Sequence, residues 1–244
     1  MNEQEKSFLE KVKIIQGDNY ATIEDTNELT PSELKELVNY LDQTPPYHSL
    51  SNLKILVNHT FSREVDQYLE GKRYDLVDEF LTVYKKLEKS EVEHSFTLKN
   101  LHMISKNEFI HIWLESMKSS LNPPSFLSMG EHMKAVKTEL GAHYKDSCIA
   151  VYEGDKGIGV MMPHIEPGTK DEGRLFYFGL IPVERGKGKS KLLHKLALSL
   201  LESEFHATYY IGGTSIHNTP MIRTFQANGC EVMDRNRVFN KKSL

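Results

Sequence analysis

The spacing of apolar residues divides the chain into a first part that predicts helices and a second part that mixes strands with helices. Leu34, Leu37, Val38 and Leu41 recur at the helical period behind the start signal "LTPSE", which reads as a capping box. The stretches "REVDQYLE" and "YDLVDEFLTVYKKLE" carry similar stripes. We therefore predict that residues 1–91 form an N-terminal helical region of unknown role.

After the charged stretch at residues 85–94, the pattern changes. Strands are predicted in "HSFTLKNLH", in "RLFYFGLIP", in "ATYYIGG", and twice in "SCIAVYEGDKGIGVMMPHI", which reads as a hairpin around Gly-Asp-Lys-Gly. Helices are predicted in "SKNEFIHIWLESMKSS", "SMGEHMKAVKTEL", "KSKLLHKLALSLLESE" and "NTPMIRTFQANG", and short strands in "CEVM" and "RVFN". This order indicates the α/β (α+β) class, with a mixed sheet flanked by helices over residues 92–244.

Composition adds that the second part is the better place for an anionic ligand. The chain has 244 residues, with 39% apolar and 26% charged positions, an ordinary balance for a globular protein. Its net charge of −4 does not favour nucleic acid as a partner. Residues 1–91 carry 11 Lys and Arg against 18 Asp and Glu, whereas residues 92–244 carry 19 against 16.

Other whole-chain features exclude several classes of protein. No apolar run approaches the roughly 18 residues that a membrane span needs, and the first residues lack the apolar core of a signal peptide. Cys148 and Cys230 are the only cysteines, and their separation fits neither a disulfide framework nor a zinc site. We expect a cytoplasmic protein with no membrane partner and no metal.

The stretch "FGLIPVERGKGKSKLLHK" has the pattern of a phosphate site. An apolar run meets a loop of glycine and lysine that opens directly into a helix, where backbone amides lack internal partners and the helix dipole is positive. A nucleotide P-loop would need glycine where Val183 stands, and a dinucleotide fingerprint would need it where Lys191 stands. Neither pattern fits.

A third pattern fits. "RGKGKS", residues 185–190, resembles the motif [Q/R]-x-x-G-x-[G/A] of the GCN5-related N-acetyltransferase (GNAT) family, with serine in place of the last small residue. The later stretch "HNTPMIRTFQANGC" is similar to the second motif of that family. The resemblance covers roughly residues 94–244. The residues that it assigns to coenzyme binding are Leu180, Arg185, Gly186, Lys187, Gly188, Lys189, Ser190, Asn218 and Phe225.

The resemblance implies an N-acetyltransferase that moves the acetyl group of acetyl-CoA, its cosubstrate, directly to a primary amine of a small molecule or peptide. It also implies that the sheet parts near Pro182, and that the pantetheine arm pairs with the backbone around Leu180. Family members often have a tyrosine acid where this chain has Phe225. That departure leaves an alternative open, a catalytically inactive module that binds or senses acyl-CoA.

The catalytic groups are candidates of two kinds. Glu172, just before a predicted strand, is the candidate base, and its other interpretation is an ordinary glutamate in a surface turn. Tyr177 is the candidate acid, with Tyr209 and Tyr210 as substitutes, although an aromatic residue in "LFYF" also suits a core. Asn218 can bind the pantetheine arm as well as cap its helix.

Two further expectations concern the acceptor and the first part of the chain. The acceptor pocket is expected between residues 109–121 and 126–136. The first part can be a substrate lid, the face of a possible homodimer, or a reduced second transferase domain.

Overall fold

The structure is a computed structural model, and it describes residues 7–17, 19–50, 52–123, 125 and 127–241. The chain divides into unit 1, Met1–Leu81 with Asp234–Leu244, and unit 2, Thr82–Met233. The predicted boundary at residue 91 differs from this division, because the last strand of the chain pairs with strands of unit 1.

The strands are β1 Lys13–Gln16, β2 Tyr20–Glu24, β3 Asn52–Asn58, β4 Tyr74–Lys86, β5 Thr97–Lys99, β6 Ile149–Glu153, β7 Lys156–Ile165, β8 Glu172–Leu180, β9 Tyr209–Ser215 and β10 Glu231–Lys241. The α-helices are α1 Ser7–Glu10, α2 Pro31–Gln43, α3 Arg63–Gly71, α4 Lys106–Met117, α5 Met129–Leu140, α6 Tyr144–Ser147, α7 Lys189–Ser203 and α8 Thr219–Ala227.

Unit 1 has the strand order β1-β2-β3-β10-β4. Strands β1 and β2 are antiparallel, β2 and β3 are parallel, and β3 and β10 are antiparallel. Helix α2 buries the apolar stripe that its sequence predicts against this sheet. Its predicted capping box is confirmed: Thr30 N donates to Glu33 Oε2 at 2.8 Å, and Glu33 N donates to Thr30 Oγ1 at 3.3 Å.

The prediction that residues 1–91 are helical is wrong. Besides α2 and α3, this part of the chain forms β1, β2, β3 and β4. The stretch read as a third helix is β4, whose buried Leu81 and Val83 are two residues apart, as on one face of a strand. Short apolar runs suit either state, and pairing with distant segments such as Val57 opposite Arg237 decides between them.

Unit 2 is a mixed and mainly antiparallel sheet flanked by helices, which confirms the predicted fold class. Its order is β9-β8-β7-β6-β5, with β5 to β8 antiparallel and β8 parallel to β9. Helices α4 and α5 pack on one face around Phe109 and Trp113, and α7 packs on the other through Leu193 and Leu196. The predicted hairpin is β6–β7, and the two short strands predicted in "CEVM" and "RVFN" are parts of the single strand β10, which begins at Glu231.

Two further observations concern membranes and cysteines. Among the described residues, no helix combines the length and the apolar character that crossing a bilayer requires. Cys148 and Cys230 are both buried free thiols, and burial raises the pKa of Cys148 to about 12.

Candidate active site

Strands β8 and β9 separate soon after they begin. They pair only at Glu172 opposite Tyr209 and Gly173 opposite Tyr210. Within the described residues, Arg174–Leu180 of β8 have no partner on β9, although β8 stays paired with β7 as far as Leu180. The result is a wedge-shaped gap about 20 Å long at roughly 3.3 Å per residue.

The predicted parting of the sheet is confirmed, but Pro182 is not its cause. Separation from β9 begins at Arg174, whereas Ile181 N still donates to Ile158 O on β7 at 2.9 Å. Pro182 instead ends the pairing of β8 with β7 and begins a short 3₁₀ turn, Pro182–Glu184.

Backbone groups of β8 point into this gap. Because Ile181 bonds to Ile158, the preceding pair, Leu180 opposite Gly159, is a non-hydrogen-bonded pair of the antiparallel ladder. The amide and carbonyl of Leu180 therefore face away from β7, and by the same alternation so do those of Phe178. The edge of β8 can thus pair with an extended ligand.

A β-bulge lies in the same edge. Met161 is opposite Phe178 and Pro163 is opposite Leu175, so Phe176 and Tyr177 together face one residue of β7. A bulge interrupts the ladder, sharpens the strand twist and turns backbone groups in new directions. Here both Phe176 and Tyr177 pack toward the side of the sheet that α4 and α5 cover.

The loop after β8 has the geometry of an anion cradle. Gly186 and Gly188 have φ angles of 73° and 78°, and Gly188 is the N-cap of α7. No atom lies within 4 Å of an added Cβ at either position, so backbone conformation, not crowding, calls for glycine. No described residue accepts a hydrogen bond from the amides of Gly186, Lys187 or Gly188. These amides and the first turn of α7 are available to an anion.

Glu184 forms ion pairs with lysines in and around this loop, and the sequence alone did not reveal these contacts. Its carboxylate accepts from Lys156 Nζ at 2.7 Å, Lys189 Nζ at 2.8 Å and Lys187 Nζ at 3.0 Å. Lys189 also donates to Glu153 at 2.6 Å. The hydrogen bond from Lys156, followed by those from the other lysines, holds the pKa of Glu184 far below its usual range.

No protein-family model and no curated protein matches this sequence. Solved structures do match. The GCN5-related N-acetyltransferase from Sphaerobacter thermophilus superposes with a TM-score of 0.60 at 12% identity, covering 94% of this chain and 75% of that one. The tandem GNAT protein from the clavulanic acid biosynthesis pathway gives a TM-score of 0.58 at 11% identity, covering 94% and 77%. A functionally unknown conserved protein from Staphylococcus epidermidis gives 0.61 at 10%, covering 99% and 100%.

This chain has the GNAT fold. At such low identity the likeness establishes the fold and not the reaction. The sequence resemblance was confined to residues 94–244, but the matched share of the chain exceeds unit 2 alone and therefore includes residues of unit 1. The gap and the glycine loop are the parts of this GNAT fold that bear on ligand binding.

Arg185, the first residue of the GNAT motif, uses its side chain for hydrogen bonds within the protein. Its Nε donates to Leu180 O at 2.9 Å, and its Nη1 and Nη2 donate to Ser119 O at 2.9 Å and Ser116 O at 2.8 Å. The guanidinium thus links the end of β8 to the end of α4. It also donates to the carbonyl of Leu180, so the amide is the group of Leu180 that a ligand need not share with Arg185.

The structure places the second motif beside the open end of β9. Asn218 caps α8 by accepting from Met221 N at 3.3 Å, and its Nδ2 donates to Asn122 Oδ1 at 3.1 Å. Ser190 Oγ lies 3.2 Å from Thr224 Oγ1, which ties α7 to α8. The predicted capping role of Asn218 is confirmed, whereas its role in binding pantetheine stays a prediction.

Phe225 is core rather than surface. It is 2% exposed, and its ring centroid lies 5.4 Å from that of His194 and 6.5 Å from that of Tyr210. Tyr210 is fully enclosed in the same cluster, and burial raises the pKa of its phenol. The rings of Phe225 and Tyr210 are both buried, whereas a contact with the coenzyme needs an exposed surface. A coenzyme contact of Phe225 therefore stays a prediction.

Tyr177 is engaged with the end of α4. Its hydroxyl donates to Ser116 O at 2.8 Å and lies over Gly179, where an added Cβ would be 2.7 Å from the hydroxyl oxygen. Burial raises the pKa of Tyr177 to about 12. A hydroxyl with this partner and this pKa is poorly suited to protonate a thiolate at neutral pH.

Glu172 belongs to a network of charged side chains on the side of the sheet that α4 and α5 cover. Arg174 Nε lies 2.6 Å from Glu172 Oε1 and 3.3 Å from Glu166 Oε2, and Tyr209 OH donates to Glu172 Oε2 at 3.2 Å. His164 Nε2 is 3.7 Å from Glu166 Oε2. Glu172 is therefore part of a partly buried network, not an isolated surface carboxylate.

Sequence reasoning missed His164, Glu166 and Arg174. The signal was present as polar residues at the ends of two apolar strands, "PHIE" and "EGR". Only the register that sets His164 opposite Arg174 shows that they meet. Of the segments expected to form the acceptor pocket, Phe126 lies outside the described residues, while Phe109, Trp113, Met133 and Val136 are buried core.

Proposed function

We propose that this protein is an acyl-CoA-dependent N-acyltransferase that moves the acetyl group of acetyl-CoA directly to a primary amine of a small molecule or peptide. The observation that carries the proposal is the conjunction of the β8–β9 gap with the glycine loop at its open end. The GNAT fold supports it. A cytoplasmic location and the nature of the acceptor stay predictions from the sequence.

The chain offers groups for each part of the coenzyme. Amides of residues 186–190 can donate to the diphosphate, in the field of Lys187 and Lys189. The edge of β8, through Phe178 and the amide of Leu180, can pair with the amides of the pantetheine arm as a neighbouring strand would. Asn218 can add its side-chain amide at the other wall of the gap.

The reaction requires positioning more than covalent chemistry by the protein. Acetyl-CoA supplies a thioester: the amine nitrogen forms a bond to the carbonyl carbon, the carbon–sulfur bond breaks, and the proton lost by the amine is balanced by the one the thiolate gains. The gap holds both reactants together, which converts a bimolecular step into a local one. The amide of Phe178, next to the bulge, can donate to the carbonyl oxygen as negative charge develops.

Proton transfer is assigned to the network around Glu172. Glu172 is the candidate base, directly or through water, because it lies where β8 and β9 diverge and the gap is narrowest. Tyr177 is a poor acid for the reasons of pKa and partnership given above, and Tyr210 is enclosed. The thiolate then leaves without a dedicated protein acid or takes its proton from water.

A second candidate is a catalytically inactive module that binds or senses acyl-CoA. Phe225 favours this candidate, because its buried ring has no hydroxyl to donate a proton, whereas members of the GNAT family often have a tyrosine at this position. It needs the same coenzyme site and differs only in the absence of turnover.

Calorimetric titration of the intact protein with acetyl-CoA, followed by a thiol-release assay on a panel of primary amines, tests both candidates. Saturable binding with amine-dependent thiol release supports the transferase. Binding without release from any amine favours the sensing module. The absence of any heat of binding at coenzyme concentrations of about 0.5 mM would exclude both the transferase and the sensing module.

The role of unit 1 is a separate proposal. The match of a tandem GNAT protein over 94% of this chain supports a reduced second transferase domain over a lid or a dimer face. A homodimer is tested by measuring the mass of the intact protein in solution.

A further inference from the structure

The carboxylate of Glu184 contacts three lysines, each on a different element of unit 2. Its side chain is only 6% exposed, and it accepts from Lys156 on β7, Lys187 in the glycine loop and Lys189 on α7, all within 3.0 Å. Glu184 itself lies in the 3₁₀ turn directly before the loop. A single internal anion therefore joins the cations that surround the proposed diphosphate site.

The cations in question are already engaged before any ligand arrives. Lys187 and Lys189 flank Gly188, the N-cap of α7, so they are the lysines nearest to the free amides of the loop. Together with Glu153, which accepts from Lys189 at 2.6 Å, the cluster contains three positive and two negative charges. Phosphate groups that bind here must share these lysines with protein carboxylates.

We propose that Glu184 is an affinity-setting residue, an internal counter-anion that competes with the coenzyme's phosphates for Lys187 and Lys189 and so limits how tightly coenzyme A is held after the reaction. This inference rests on the proposed function. It adds to that function a residue outside the family motif whose charge opposes binding at the site it helps to build.

Glu184 competes with the phosphates for the lysines more than it helps to position those lysines, and the exposed fractions of the lysine side chains are the reason. The side chains of Lys156 and Lys187 are 57% and 53% exposed, so their ion pairs are screened and order them weakly. Lys189 is 17% exposed but retains Glu153 when Glu184 is neutral. A glutamine at position 184 keeps the shape and one acceptor oxygen for the lysines. The main effect of Glu184→Gln is then removal of a negative charge beside two phosphates.

The test compares coenzyme A binding by the intact wild-type protein and Glu184→Gln, using calorimetry at about 50 mM and about 200 mM salt. We expect the dissociation constant of Glu184→Gln to be roughly tenfold lower at the lower salt, with a smaller gain at the higher salt because screening weakens the lost repulsion. In turnover assays the variant should have a lower KM for acetyl-CoA and a lower kcat, because product leaves more slowly.

The matched control is Glu204→Gln. It makes the same change in net charge one residue beyond α7, about 20 Å along the helix from Lys189 and outside the Debye length. Its dissociation constant should stay within about twofold of wild type. If Glu184→Gln does not fold, Glu153→Gln carries the test from a half-exposed position, with binding expected to tighten about threefold.

The outcomes separate the inference from the function on which it rests. The inference alone is overturned if the wild-type protein binds coenzyme A but folded Glu184→Gln binds it no more tightly than the wild type does. The same holds for Glu153→Gln if it is used in place of Glu184→Gln. An equal gain in Glu204→Gln also overturns it, because net charge would then suffice. Absence of coenzyme binding by the wild-type protein overturns the proposed function and the inference together.

Discussion

Gly188→Glu is the most direct perturbation of the proposed diphosphate site. Gly188 has a φ of 78° and caps α7, with no atom within 4 Å of an added Cβ. A side chain at this position therefore meets open space but holds a left-handed backbone, which costs about 1–2 kcal/mol. For a chain of this size that cost lowers Tm by about 2–8 °C.

The effect on binding should be larger than the effect on stability. Two like charges at a separation of about 4 Å repel by about 1 kcal/mol in water and about 4 kcal/mol near a protein surface, which gives the range expected for the new carboxylate beside a phosphate. Those limits correspond to a roughly fivefold to thousandfold higher dissociation constant for coenzyme A. Free amides of the loop would also gain an internal acceptor, which opposes binding further.

Calorimetry with coenzyme A and thermal melting followed by circular dichroism measure the two effects separately. Gly188→Ala adds strain without charge and should retain most of the affinity. Gly141→Glu adds the same charge at the end of α5, where φ is 64° and the space is equally open, and should cost stability only. Wild-type affinity in Gly188→Glu, or an equal loss in Gly141→Glu, would refute the diphosphate assignment.

Three further predictions concern side chains around the gap. Tyr177→Phe removes a hydroxyl that donates to Ser116 O, so it should cost about 1 kcal/mol of stability but less than tenfold in kcat, and a hundredfold loss would show that Tyr177 is the acid. Glu172→Gln should lower kcat by about a hundredfold or more while coenzyme affinity is unchanged; a kcat close to that of the wild type would exclude Glu172 as the base. Burial lowers the pKa of His194 to about 3, so the unfolded chain binds a proton below about pH 6.5 that the native state does not. The free energy of unfolding should therefore decrease as the pH is lowered below 6.5, by up to about 1.4 kcal/mol per pH unit. Urea titrations at several pH values should show that His194→Gln lacks this contribution, and an equal pH dependence of the free energy of unfolding in variant and wild type would contradict the prediction.

Features that depend on neighbouring residues were predictable from the sequence. The start of α2 at Thr30 follows from a capping box whose members are three residues apart. The β6–β7 hairpin follows from a turn between two apolar runs, and the loop at residues 185–190 from glycines that open a helix. Each of these signals is complete within one short segment, so no knowledge of the tertiary structure was needed.

Features that depend on which distant segments meet were not predictable in this way. The sequence predicts a helix where β4 lies, because the partners of this strand lie far away in the chain, and a strand is stabilised by those partners rather than by its own period. The buried position of Glu184 among three lysines is invisible in "VERGKGKS", where it reads as one more charge. The use of Arg185 as a clamp on Ser116 and Ser119 is equally invisible.

The sequence by itself determined the glycine loop and the candidate residues on it, because these rest on local conformation and on the free amides of a helix start. The GNAT fold class was indicated by the resemblance of two sequence motifs to that family. The tertiary structure alone decided where β8 leaves β9, which amides of β8 point into the gap, and that Glu172 joins Arg174, Glu166 and His164. Strand register and burial set all three, and both are properties of contacts between residues far apart in the chain.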